Sequence, residues 1–331
     1  MDQGNLQAIS DAIKDIVNTN FTFDTSCINV PHYNDSGFTF ESGQVKKGKV
    51  INTCVLFVDI RNSVALTKQY SREDMGKLYT SFVKSVLLCA DYHHGEVRNI
   101  IGDRVMIVFP PKDCYTNAVR CAISINTISS KIIHHYCDMF KCGIGIDYGE
   151  MFVHKTGTIK QGSDADSYKS LIWIGRPANI ASRLTDVANK DLTKTIFRVT
   201  RHPINPNYSL ISPMLPPALG MYPQMSPQSY YSSSQETIDM TLEEFTNSIS
   251  KYSNGNIQAS GGEILNFEKI ETEITNLPIL MTRSVYSGFT KNNPNSDITK
   301  YIKDKDITVR DYSGTIYGGD IHWSTIDQIN I

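Results

Sequence analysis

Two aspartates stand where they could act together. Asp103 follows a glycine in NIIGDRVMIVF (99–109), where runs rich in β-branched residues flank a Gly-Asp pair. That pattern predicts two strands joined by a tight turn, with a carboxylate at its tip. Asp59 closes CVLFVDI (54–60), a continuous apolar run that suits a buried central strand. If this first strand pairs with the strand entering the turn, the two carboxylates lie side by side. Two such anions share a site cheaply only around a cation. Mg²⁺ takes few carboxylates, keeps waters and leaves positions for phosphate oxygens. Two such ions grip the attacking and leaving oxygens of an in-line displacement. A turn aspartate can also be chosen for the turn alone; a second aspartate at the end of a buried strand weighs against that.

The elements that must position this pair are readable by period. Leu78, Phe82, Val86 and Ala90 repeat every fourth residue between Arg72 and Tyr92, with Gly95 as a stop, which predicts a helix. Val97–Ile101 and Val105–Phe109 are the two strands of the turn. Asp113 can cap a second helix carrying Ala118, Ala122, Ile125, Ile128 and Ile132. FKCGIGIDYGE (140–150) predicts a strand, with MFVHK (151–155) pairing back on it. The order β-α-β-β-α-β predicts an α+β, ferredoxin-like sheet. SLIWIG (170–175) adds a strand, and RPANIASRL (176–184) starts a helix with Pro177 in its first turn. KTIFRVT (194–200) adds another strand.

Composition then shifts. Seven of the thirteen prolines lie between 203 and 227 and YYSSS follows, so residues 201–262 read as a loosely ordered insertion with one weak helical stretch near 237–252. Four segments result: an N-terminal helix and extended stretch (1–48), a catalytic core (49–200), the insertion (201–262), and C-terminal strands completing the domain (263–331). Leu6, Ile9, Ile13, Ile16 and Val17 mark the first helix. Packing of that stripe on the core is the default expectation, and support of a dimer the alternative.

The totals exclude several classes. The 331 residues are 40% hydrophobic and 20% charged with net charge −2, so no basic field points to nucleic acid. Seven scattered cysteines suit reduced thiols. The polar first residues do not read as a signal peptide, and no apolar run reaches membrane-spanning length. A cytoplasmic protein with no membrane partner is expected.

The motifs FVDIRNS, GEVRNIIGDRVMIVF, GIGIDYG and IWIGRPANIASRL occur in an order that resembles the catalytic domain of class III nucleotidyl cyclases. The DIRNS form is most similar to the pyrimidine cyclases of bacterial anti-phage Pycsar systems. The resemblance implies Mg²⁺ or Mn²⁺, two ions per site, on Asp59, Asp103 and the backbone carbonyl of Ile60. It implies that backbone N–H groups of Arg61, Asn62 and Ser63 hold the β- and γ-phosphates. Asn179 would orient the ribose, and Arg183, four residues on and on the same helix face, would neutralise the α-phosphate. Arg310, in TVRDYSG, sits roughly where the family has a phosphate-binding lysine. Each site in the family draws on two protomers, which implies a homodimer with composite sites.

The resemblance also bears on the base. Asn99 and Ile172 occupy the two purine-reading positions, and neither matches the adenylate or guanylate pattern. Phe57 would form a pocket wall and shrink the pocket, which suits a pyrimidine. Asn99 carries both a donor and an acceptor. The missing hydroxyl at residue 57 leans toward CTP over UTP. The expected activity is cyclisation of a pyrimidine nucleoside triphosphate, with a separate effector protein that binds the cyclic product. The alternatives are an adenylate cyclase or a catalytically inactive interaction module. YGGDI (317–321) carries the Gly-Gly of diguanylate cyclases without the acid that should follow, and reads as a terminal hairpin turn. HKTGTIKQG (154–162) lacks a phosphate-loop frame and reads as a flexible hairpin.

Overall fold

The computed structural model describes residues 2–157, 169–205, 231–251, 257–259 and 261–329. The chain opens with α1 (Gln3–Asn18), β1 (Phe21–Asp24), β2 (Lys46–Ile60), α2 (Ser63–Gln69) and α3 (Arg72–Tyr92). Next come β3 (Glu96–Ile101), β4 (Arg104–Val108) and α4 (Cys114–Thr127), which runs on through a π-helical turn (Ile128–Ile133) into α5 (His134–Tyr136). Then follow β5 (Cys142–Gly157), β6 (Lys169–Ile174), α6 (Arg176–Val187) and β7 (Asp191–Pro203). The later elements are β8 (Glu236–Thr241), α7 (Leu242–Ser248), β9 (Ile249–Lys251), β10 (Ile257–Ala259), β11 (Gly262–Thr275), β12 (Ile279–Thr282), α8 (Arg283–Asn292), β13 (Lys303–Lys305) and β14 (Ile316–Gly319).

The chain divides into two compact units, Met1–Lys190 with Asn276–Ile331, and Asp191–Thr275. The main sheet of the first unit runs β13-β14-β12-β5-β2-β4-β3, with β1 added on β2 and β6 on β5. Its β5-β2-β4-β3 portion is the ferredoxin-like order expected from β-α-β-β-α-β. Alternation along β2 sorts the core. Cys54, Leu56, Val58 and Ile60 face a large cluster that includes Phe82 and Val86 of α3, Ala118 and Ala122 of α4, and Phe289 of α8. Truncating a fully buried ring such as Phe82 or Phe289 costs about 3–5 kcal/mol. Ile51, Val55 and Phe57 face the other way, toward Met106, Val108, Met151, Val153, Val30 and Phe38. Helix α6 lies on this second face. A Cβ at Gly143 or Gly145 would strike backbone at Ala188, just past α6, or at Ala181 within it, so these glycines of GIGIDYG let the helix sit directly on β5.

Several local expectations change. MFVHK does not pair back; it continues β5, and β6 pairs with that extension, Phe152 opposite Ile174. Helix α3 does end ahead of Gly95, whose N–H donates to the Ala90 carbonyl at 2.7 Å, with His94 in the left-handed region (φ +56). Asp113 precedes α4 in the left-handed region and makes no side-chain cap. Gly318 and Gly319 are strand residues paired with β12, not a hairpin turn. No residue of α1 is buried, so its apolar stripe does not pack on the core. Most of HKTGTIKQG lies outside the described residues.

The second unit is a three-stranded antiparallel sheet, β11-β7-β8, with Phe245 of α7 stacked on Phe197 at 4.5 Å. Thr241 caps α7 in a reciprocal box with Glu244. Within 201–262 the described residues carry the end of β7, then β8, α7, β9 and β10; 206–230 lie outside the described residues. Among the described residues, no helix is long and apolar enough to cross a membrane.

Candidate active site

The Gly-Asp turn is two residues long, with Ile101 opposite Arg104. Gly102 takes φ +62 with open space around its Cβ position, so the conformation, not crowding, calls for glycine. Strand β2 pairs with β4, which leaves the turn, and not with β3, which enters it; Val58 faces Val105. In the ferredoxin-like order the first strand lies between the fourth and the third, so the expected pairing was with the wrong arm of the hairpin. Asp59, the residue after Val58, still arrives beside the turn.

Burial and the neighbouring Asp59 charge hold the Asp103 carboxyl above the usual range, with the Ser63 hydroxyl among the opposing influences. Asp59 Oδ2 accepts from Arg104 Nε at 3.2 Å and Nη2 at 2.6 Å. Arg61 Nη2 lies 3.3 Å from the same oxygen. Arg104 also reaches α6, donating to Ser182 Oγ at 2.8 Å and Asp186 Oδ1 at 2.5 Å. The donor set is hard oxygen: two crowded carboxylates, both guanidinium contacts on one oxygen of Asp59, and the Ile60 carbonyl at the strand end. Such a set fits Mg²⁺ or Mn²⁺. Among the described residues no cluster of three or more His, Cys, Asp or Glu side chains is placed to hold a metal. The Ile60 side chain is buried in the large core, so only its main chain could serve.

Past Ile60, the Arg61 N–H donates to the Lys141 carbonyl at 2.7 Å. It is therefore engaged and not open to a phosphate, contrary to the expectation for RNS. Asn62 is left-handed (φ +55) and precedes α2. Ser63 is in the first turn, where N–H groups have no intrahelical acceptor.

Asn179 and Arg183 lie one turn apart on α6. Arg183 Nη1 donates to the Arg310 carbonyl at 2.6 Å and is 2.6 Å from Asp311 Oδ2. Asp311 is itself left-handed, at φ +59. The structure thus brings Arg310 beside Arg183 despite the long insertion between them. The Arg310 side chain is 86% exposed.

Phe57, Met106 and Asn99 form one cross-strand row, since both Phe57 and Asn99 sit opposite Met106. A bulge at Arg98 makes this possible. Val97 faces Ile107 on the large-core side, and the extra residue shifts Asn99 to the face of Phe57. Ile172 does not join the row. Strand alternation turns it to Ile16, Phe21, Phe23 and Ile174, whereas Leu171 and Trp173 pack with the cluster that holds Phe57 and Met106. Arg104, Asp186 and Asp311 are the residues that pattern reading missed. Two of them are immediate neighbours of singled-out residues, Asp103 and Arg310, which was the available signal.

Residues 45–201 match the adenylate and guanylate cyclase catalytic domain. The uridylate cyclase of Burkholderia cepacia is 30% identical over 143 residues, 41% of this chain and 59% of that relative. The uridylate cyclase of Xanthomonas perforans is 28% identical over 181 residues, 52% of this chain and 73% of the relative. Among solved structures, the adenylyl cyclase CyaB from P. aeruginosa has a TM-score of 0.44 at 16% identity, covering 82% of this chain and 94% of the other. The chain thus spans less than two thirds of the Burkholderia relative. Over residues 45–201 the chain is thus similar to the adenylate and guanylate cyclase catalytic domain, and its similarity includes chains named uridylate cyclase.

Proposed function

We propose that the chain converts a pyrimidine nucleoside triphosphate to its 3′,5′-cyclic monophosphate and pyrophosphate. The observation that carries this reading is the occurrence, in one domain, of the Asp59–Asp103 pair at a sheet end and Asn179 with Arg183 on α6. Asp59, Asp103 and the Ile60 carbonyl would hold Mg²⁺ or Mn²⁺, two ions per site, which supply positive charge at the triphosphate when bound. Asn62 and Ser63 N–H groups would hold the β- and γ-phosphates, and Arg310 would reach the triphosphate from its exposed position. Asn179 orients the ribose. Arg183 neutralises the charge that builds on the α-phosphate as the 3′-oxygen attacks and the pyrophosphate leaves.

The working form is a homodimer with composite sites. Within one chain, Arg104 links Asp59 to Ser182 and Asp186 of α6, while Arg183 is turned to Arg310 and Asp311. Asn179 and Arg183 would serve the aspartates of a second copy, as the resemblance to the cyclase family implies. On the base side, the Phe57–Met106–Asn99 row leaves Asn99 as the polar reader. A site without a matched polar partner rejects the wrong base edge by leaving groups unpaired, and an amide meets either the cytosine amino group or the uracil oxygen. The missing hydroxyl at residue 57 favours CTP; the names of the relatives favour UTP. The cyclic product would act in the cytoplasm on a separate effector in anti-phage defence.

Incubation with each of the four ribonucleoside triphosphates, with Mg²⁺ or Mn²⁺ and products identified by mass, tests the reading. Cyclic CMP or cyclic UMP is expected as the main product. Dominant cyclic AMP overturns the pyrimidine assignment, and absence of any cyclic product overturns the activity.

A further inference from the structure

Among the described residues, helix α1 finds no cover for its apolar side. None of its residues is buried, and Leu6, Ile9, Ile13, Ile16 and Val17 are between 47% and 75% exposed. Yet the helix is anchored. Asp2 caps it by accepting from the Asn5 N–H at 2.8 Å. In its last turn Asp15 accepts from the Gly43 N–H at 2.9 Å and from Lys46 Nζ at 3.3 Å, and Lys46 is buried. A helix of this length is marginal in water without an apolar face packed against something.

The stripe has the form of a self-complementary seam. Leu6, Ile9, Ile13 and Ile16 step by three, four and three, the a/d spacing of a two-heptad coiled coil. The flanking e and g positions are Ser10, Val17, Asn5 and Ala12. None is charged, so the seam meets a copy of itself without like-charge repulsion, and Ser10 and Ala12 are small enough for close approach. At Ile16 the apolar surface runs on into a cavity of about 520 Å³ lined by Phe21, Phe23, Ile172 and Ile174. That continuation matters, because a stable interface buries about 800 Å² on each partner, more than one short helix offers.

We infer that α1 pairs with α1 of a second copy of this chain about a two-fold axis, the β1–β6 patch extending the contact. Such an interface is isologous, each copy offering the same stripe. That this dimer is the one needed for composite sites rests on the proposed function; the pairing does not.

Sedimentation velocity of the full chain over a dilution series tests it, comparing wild type with Ile9→Glu/Ile13→Glu and with Lys14→Glu on the other side of the helix. The double variant should raise the dimer dissociation constant by about 100-fold or more, and Lys14→Glu should match wild type. Because the replaced side chains are exposed in a single chain, circular dichroism should show an intact fold. The milder Ile9→Ser/Ile13→Ser pair takes its place if the charged pair misfolds, and must weaken self-association in the same direction. Unchanged self-association in the folded variants overturns the inference, as does a wild-type chain that stays monomeric throughout. Failure of the composite-site reading is a separate result: Asp59→Ala mixed with Arg183→Ala, both keeping Ile9 and Ile13, would then show persistent self-association with no recovered activity.

Discussion

Asp59 offers one carboxylate oxygen to two guanidiniums, and Asp103 is held near it in a partly buried site. Replacing either by asparagine keeps the shape and removes the charge that a cation needs. Asp59→Asn and Asp103→Asn should each lower turnover by at least about 100-fold and weaken Mn²⁺ binding measured by calorimetry. Arg183→Ala should lower kcat by about 100- to 1,000-fold, the usual result of removing a group aimed at developing charge, with Mn²⁺ binding unchanged. Asp311 acts one step back. A non-glycine residue in the left-handed region is uncommon, and here that conformation accompanies an ion pair to Arg183 at 2.6 Å. Asp311→Asn tolerates the same backbone but loses the pair. It should lower kcat by between about ten- and 100-fold, the scale of a small misplacement of a catalytic group, with KM little moved. A KM change without a kcat change would show that Asp311 serves binding instead.

The elements that carry these residues have their own chemistry. At the end of α3, burial pulls the pKa of His93 down from 6.5 to about 4, with the charges of Arg120 and His94 adding to the effect. Its Nε2 lies 2.8 Å from Ser124 Oγ, which accepts from Trp323 Nε1 at 2.8 Å. The serine hydroxyl is thus free to donate to a neutral imidazole. The unfolded chain takes up this proton near pH 6.5 and the folded chain only near pH 4. The stability from neutral His93 is therefore complete above about pH 6.5 and lost as pH falls toward 4. The urea midpoint should drop from pH 7 to pH 5 more steeply in wild type than in His93→Gln. Helix α3 was legible residue by residue, because four apolar positions at helical spacing face one core. The ferredoxin-like class was legible because few topologies join β-α-β-β-α-β without crossing connections, but the arm of the hairpin that pairs with β2 was misassigned. The straight run of β5 was not. Gly149 reads as punctuation, but it sits opposite Thr53 under Pro177 of α6, a constraint that only the folded chain supplies. The carboxylate pair could be found by residue type. The bulge that turns Asn99 and the face taken by Ile172 leave no local trace, and the Arg183–Asp311 pair across the insertion is hinted at only by the place of Asp311 beside Arg310.

At the scale of the whole molecule, the proposed dimer makes a quantitative prediction. Asp59→Ala and Arg183→Ala should each be inactive alone. Mixed in equal amounts with subunit exchange, half the dimers are mixed and each holds one intact site, so recovery of up to about one quarter of wild-type activity is expected. No recovery, with exchange demonstrated, would place both halves of the site in one chain. The division of the chain also has a consequence. Asp191 pairs with Thr275 at the first rung of the β7–β11 ladder, and just before it the Asn276 N–H donates to the Lys190 carbonyl. The chain leaves the first unit after Lys190 and re-enters it at Asn276. The cost of closing a loop grows only slowly with its length, and here the hinge posts are already fixed. A change of length between Lys190 and Asn276 therefore leaves the strand order of the sheet that holds Asp59 and Asp103 unaltered, since β7, β8 and β11 belong to a sheet of their own.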